Sequence, residues 1–268
     1  MGTKKEYNSQ TKLDFPSCTY FSVPASIILD ANGDERRVTA FSYLSSKRGL
    51  DNSVVFSVWN VLKWLGKKQD RRKGGLNDKV INAMQYIEHA GFVDLQDGFD
   101  SKGYADALFN SKEVRRQCSS DRFAIIYLDE LNKIICNEEC AYSNVDVILL
   151  VFAYLRMMIY RRANEFLPEQ TSVAEKRRSS PEVYDCHYKD IADSIGVSVK
   201  RVVQAVDALV ELRLIYAEEL PRIKQNGKWV TNTCMFCNTY KREKEFLLAE
   251  GVDYYMQEIA NKKKKLRV

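Results

Sequence analysis

The chain is poor in the side chains that most active sites need. It has two histidines, His89 and His187, and neither has a clear nucleophile or carboxylate arrangement around it. There is no GxxxxGK[ST], which excludes a P-loop for ATP, and no GxGxxG for a dinucleotide. Asp129 and Glu130 are adjacent acids on a strand or turn, too few for a two-metal nuclease. Tyrosines are plentiful, but a nicking tyrosine would want a histidine pair for its metal. An enzyme is not expected, and neither is a cofactor.

Long apolar runs are missing as well. No stretch approaches the ~20 residues that span a bilayer, and MGTKKEYNSQTKLD lacks the apolar core of a secretory leader. A cytoplasmic protein without a membrane partner is expected. Seven cysteines at irregular spacing make an odd count, and a chain of 268 residues needs no disulfide staples, so reduced thiols are expected. Cys234 and Cys237 have the spacing of half a zinc site, with Cys136, Cys140 and His187 as further candidates. However, TNTCMFCNTY alternates like a strand, where residues three apart point to opposite faces and cannot share an ion. No metal is expected.

What remains is an ordinary globular composition, 45% hydrophobic and 29% charged, with room for about two domains of ~100–150 residues. The net charge of +5 is modest but clustered. Lys67, Lys68, Arg71, Arg72 and Lys73 form one group. Arg161, Arg162, Lys176, Arg177 and Arg178 form another, and Lys262–Lys265 with Arg267 a third. Such clusters suit contact with phosphate backbones, and equally a solvated surface.

The halves match in order. An apolar, strand-like entry at 20–29 precedes 38–44, ending in FSYL; a second at 123–136 precedes 145–155, ending in FAYL. Each half then has a short helix closed by glycine (58–65 before Gly66, 188–195 before Gly196), an amphipathic helix (77–90, 199–212) and a β-prone exit (92–95, 214–217). The polar segment 97–120, with Gly98 and Gly103, reads as a linker. The expected organisation is a flexible 1–14, a first domain at 15–96, and a second at 121–250 carrying a basic insertion at 161–186. A C-terminal helix and basic tail would follow at 251–268.

At 100° per residue, Val199, Val202, Val203, Val206, Leu209 and Val210 fall on one side of the 199–212 helix, and Lys200, Arg201, Gln204, Ala208 and Glu211 on the other. Cations at the N-terminal end suit a helix that points into DNA. Ser198 is placed to cap that helix through its hydroxyl, and Gly196 to supply a positive φ. Beyond it, Asn226-Gly227 between β-prone runs predicts a hairpin, with Arg222, Lys224 and Lys228 around its turn. Helix, turn, helix and hairpin in this order make a winged helix.

In the 77–90 helix, Val80, Ile81, Met84 and Ile87 would face the core, leaving Asp78, Lys79, Asn82, Tyr86 and His89 outside. Asn82 could pair with an adenine edge and Lys79 with a phosphate, aided by Arg71, Arg72 and Lys73. Asp78 would repel a phosphate, or serve as a cap on a domain that touches no DNA.

The expected fold class is mainly α with small β-hairpins (α+β), in tandem winged helix-turn-helix domains. On FSYL, FAYL and IADSIGVSVKRVVQAVDALVELRLI the layout resembles the two-winged-helix replication initiators of plasmids and related mobile elements. From FSVPASIILD through GFVDL it is also similar to the N-terminal winged domain of DnaD-like and phage replisome-organiser proteins. The resemblance implies origin binding to double-stranded DNA, dimers or higher oligomers, and recruitment of a replicative helicase or loader. It also implies that Lys200, Arg201 and Gln204, with Lys79 and Asn82, lie in the major groove. Transcriptional regulators and winged-helix protein-interaction or inhibitor modules would use the same surfaces.

Overall fold

A computed structural model describes residues 19–29, 34–96, 98–100, 103–136, 142–159, 183–220, 223–225, 228–230 and 233–238, with isolated positions 170, 172 and 256. Helices and small antiparallel sheets alternate in two runs of the same order. The first is β1 (Tyr20–Pro24), α1 (Ala25–Leu29), α2 (Arg36–Lys47), β2 (Ser53–Ser57), α3 (Val58–Trp64), α4 (Leu76–His89), β3 (Val93–Leu95) and β4 (Tyr104–Phe109). After α5 (Ser111–Ser120) come β5 (Phe123–Tyr127), α6 (Leu128–Ile135), α7 (Val145–Met158), β6 (Val183–His187), α8 (Tyr188–Ile195), α9 (Val199–Glu211), β7 (Ile215–Glu219), β8 (Ile223–Gln225), β9 (Lys228–Val230) and β10 (Thr233–Asn238).

The sheets repeat too. One has the order β2-β4-β3 and the other β6-β10-β7, so in each the last strand of the run sits between the other two. Among the described residues, the second run alone carries an extra hairpin, β8–β9, paired from Ile223↔Val230 to Gln225↔Lys228. The predicted Asn226-Gly227 turn and Arg222 lie outside the described residues, as do the side chains of Lys224 and Lys228. So do residues 1–14, most of the 161–186 segment, and 251–268 apart from position 256.

The equivalent strands β1 and β5 pair with each other, antiparallel, from Tyr20↔Tyr127 to Pro24↔Phe123. Antiparallel pairing of equivalents is what a two-fold relation produces, and its axis runs by the central Ser22↔Ile125 pair. The equivalent helices α2 and α7 pack together beside it. α7, VDVILLVFAYLRMM, is apolar around nearly its whole circumference, so it can only be buried; every residue from Val145 to Met157 is. Around α2, Phe41 lies edge-on to Phe92 at 5.5 Å and tilted against Phe109 at 5.7 Å. Each such fully buried ring stabilises the fold by roughly 1.5–3 kcal/mol relative to exposure.

Three expectations need correction. The supposed linker 97–120 holds β4, the central strand of the first sheet, followed by α5. In YADALF the inward residues are Ala105, Ala107 and Phe109, and two alanines do not advertise a core strand. Gly103 makes the entry to β4 possible: its φ is +74°, and a Cβ there would stand 2.7 Å from Val58 Cγ2. Its carbonyl accepts the Val58 N–H at 3.0 Å. Residues 183–186 belong not to an insertion but to β6, the counterpart of β2. The entries at 20–29 and 123–136 are each a five-residue strand followed by a helix.

Candidate nucleic-acid interface

The second helix of each pair is where the two runs diverge. α4 follows the 65–75 connection, which is tied down by its own acids. The Asp70 carboxylate accepts from Arg72 Nε and Nη2, both at 2.9 Å, and Arg72 holds that carboxyl down to about 2. Asp70 and Asn77 exchange backbone and side-chain hydrogen bonds at 2.9 and 3.1 Å. Asp78 accepts the Gly74 N–H at 2.7 Å, so the acid expected to repel phosphate is committed to its own loop. Lys68, Arg71, Lys73 and Lys79 stay exposed around the N-terminal end of α4, where the helix dipole is also positive. Asn82 is exposed one turn further on, and Val80, Met84 and Ile87 are buried behind it. Tyr86 is half-buried beneath the Arg37 guanidinium, 4.6 Å from its ring centroid.

α9 is different. Gly196 ends α8 with a φ of 69°, as its position suggested, and Ser198 occupies the N-cap. The Ser198 hydroxyl makes no cap bond; its carbonyl takes the Arg201 and Val202 N–H groups instead. The buried stripe is Val202, Ala205, Val206, Ala208 and Leu209. Ala208, expected on the polar side, is 1% exposed, whereas Val199 and Val210, expected in the core, are 42% and 41% exposed. α9 packs on α7 of the same half, and the flank it buries there includes Ala208 and leaves Val199 and Val210 outside.

Of the residues expected to meet DNA on α9, Lys200 is exposed and Gln204 half-buried. Arg201 is engaged elsewhere, donating Nη2 to Glu35 Oε1 at 2.7 Å and Nη1 to Oε2 at 3.0 Å. The C-terminal half of α9 is acidic. Asp207 and Glu211 face Glu218 and Glu219 of β7 across a cavity of about 450 Å³ whose apolar wall is Tyr188, Val206, Val210 and Ala217. Crowded by this burial, the Tyr188 hydroxyl is pushed above its ordinary pKa.

Glu35 and Asp146 went unnoticed in the sequence. Asp146, near the start of α7, is 1% exposed. It accepts Thr39 Oγ1 at 2.8 Å and Lys67 Nζ at 2.7 Å, with Arg36 Nε at 3.9 Å. Lys67 therefore leaves the basic cluster to serve the contact between halves. A lone acid inside VDVILLVF was the available signal.

Cys234 and Cys237 both lie on β10, at positions of opposite parity along the strand. Cys234 pairs across the ladder with Cys186, both thiols are buried, and burial pushes Cys186 up to about 12. Among the described residues no three metal-ligating side chains converge, and no helix is long and apolar enough to cross a membrane. No protein-family model matches the chain, and no curated protein is detectably similar to it.

Proposed function

We propose that this chain is a non-enzymatic, sequence-specific double-stranded DNA-binding protein with two winged helix-turn-helix units, serving to initiate or organise replication of a plasmid, phage or other mobile element. The observation that carries it is the repeated unit: a strand, two helices whose connection carries a positive-φ glycine near its start (Gly66, Gly196), and a three-stranded sheet of fixed order. In the first copy, exposed Lys68, Arg71, Lys73 and Lys79 surround the start of the second helix. Cations there favour phosphate contact, and Asn82 one turn on could read a base edge. A homodimer would find cover for the outer face of β2 and β4, where Val55, Tyr104 and Leu108 are exposed together. A replicative helicase or its loader would be the downstream partner.

The test is binding to duplex DNA across a salt series. A DNA reader loses affinity steeply, with a slope of about −0.9 per phosphate contacted; binding that is absent even at low salt would reject it. Bound-fragment selection separates the two DNA roles: direct repeats beside the protein's own gene indicate an initiator, a promoter-proximal palindrome a transcriptional regulator.

One observation favours a second use for the second unit. Four carboxylates around an apolar wall on α9 and β7 repel DNA and suit a basic protein segment. On that reading the Asp207–Glu211 face of α9 is a protein-docking surface, and substitutions at Asp207 and Glu211 leave DNA affinity unchanged.

A further inference from the structure

The two halves hold each other by crossed ion pairs. Glu35, immediately before α2, takes both arms of Arg201 on α9. Asp146, at the second position of α7, takes Lys67 from the connection between α3 and α4. Since α2 and α7 are equivalent helices, each half uses the start of its first long helix to grip the helix-turn-helix of the other.

We propose that these two pairs form a latch that sets the mutual orientation of the helix-turn-helix units, and that Arg201 is a positioning residue rather than a phosphate contact. The inference rests on the DNA-binding function proposed above. Three features carry it. Seven residues separate Arg201 from the buried Ala208, which puts them within ~20° on a helix of 3.6 residues per turn, away from the exposed Lys200. Both arms of the guanidinium fork are already filled by a carboxylate, the geometry an incoming phosphate would need. The Glu35 charge beside it would also repel that phosphate.

The latch is graded in burial. The Asp146 side chain is 2% exposed and Lys67 26%, against 11% for Glu35 and 35% for Arg201. Asp146 is thus the anchor, and the Glu35–Arg201 pair the end that can be exchanged without opening the core.

The experiment uses the full chain and a duplex that the wild type binds, comparing Arg201→Glu, Glu35→Arg and the double swap across a salt series. Arg201→Glu should weaken binding about tenfold, a typical coupling for one contacting pair, with the salt slope unchanged. The double swap rebuilds the pair with its charges reversed and should return affinity to within about twofold of wild type. A double swap that stays as weak as Arg201→Glu, with a slope reduced by about 0.9, would identify Arg201 as a phosphate contact and overturn the latch. Wild-type affinity in Arg201→Glu overturns it too. Glu35→Gln guards against a misfolded reversal variant: a modest loss at constant slope supports the latch, and a gain in affinity contradicts it. If the wild type binds no duplex at low salt, the DNA-binding function itself fails and the latch with it.

Discussion

The first and second halves share one order of elements and one sheet order, yet their corresponding helices α4 and α9 present opposite chemistry. Around α4, local acids are consumed by the loop that precedes the helix, and Lys68, Arg71, Lys73 and Lys79 are left to solvent. On α9, one of two leading cations is bound by Glu35, and the outer surface turns to valine, aspartate and glutamate. Sequence alone ranks them the other way, because Lys200-Arg201 looks like a recognition end while Asp78 looks like an obstacle. Charge read along a helix says little until the partner of each charge is known.

The comparison can be broken most forcefully by removing the cations of the first half. Replacing Lys68, Arg71, Lys73 and Lys79 together by glutamine should lower DNA affinity on the order of a hundredfold and flatten the salt slope by about 0.9 for each phosphate no longer neutralised. Equal affinity in this variant would move the interface off α4. Lys200→Gln should leave affinity and slope close to wild type, and a slope reduced by about 0.9 would put α9 on a phosphate.

Stability offers a second comparison, through Lys67. Lys67→Ala leaves the Asp146 carboxylate buried with Thr39 and a distant Arg36, and should cost about 3 kcal/mol in urea unfolding, the low end for orphaning a buried charge. Adding Asp146→Asn should recover part of that loss by removing the orphaned charge; no recovery would mean Lys67 acts by packing alone. Gly103→Ala is expected to cost ~1–3 kcal/mol, because the positive φ and the close Val58 both oppose a Cβ. The smallest effect is on pH dependence. Burial raises the Glu130 carboxyl above its ordinary value, with Arg156 opposing. The folded state therefore holds this proton in a window where the unfolded chain has lost it, and stability from this group falls as pH rises through that window. Glu130→Gln should remove that part of the slope, measured by denaturation at stepped pH.

Much of this architecture is legible in the residues. Gly196 marks the end of α8, periodicity places α4 and α9 within about a residue of their ends, and the parallel between the halves follows from the order of the segments. Strand β4 is hidden because its inward positions are two alanines and one phenylalanine, and Gly98 and Gly103 just before it read as a loop. The phase of α9 is hidden for another reason: the flank that is buried depends on α7, a helix some fifty residues earlier in the chain. Glu35 and Arg201 lie 166 residues apart, and no local pattern can announce their pairing. Thus the elements themselves are readable from local pattern, and the pairings that join two units are not.

The central claim is that α4, not α9, faces DNA. A photo-crosslinking side chain introduced at the exposed Asn82, and separately at the exposed Lys200, tests it directly in the full chain bound to duplex. Crosslinks to DNA from position 82 and none from position 200 are predicted. DNA crosslinked from position 200 and not from position 82 would contradict the account.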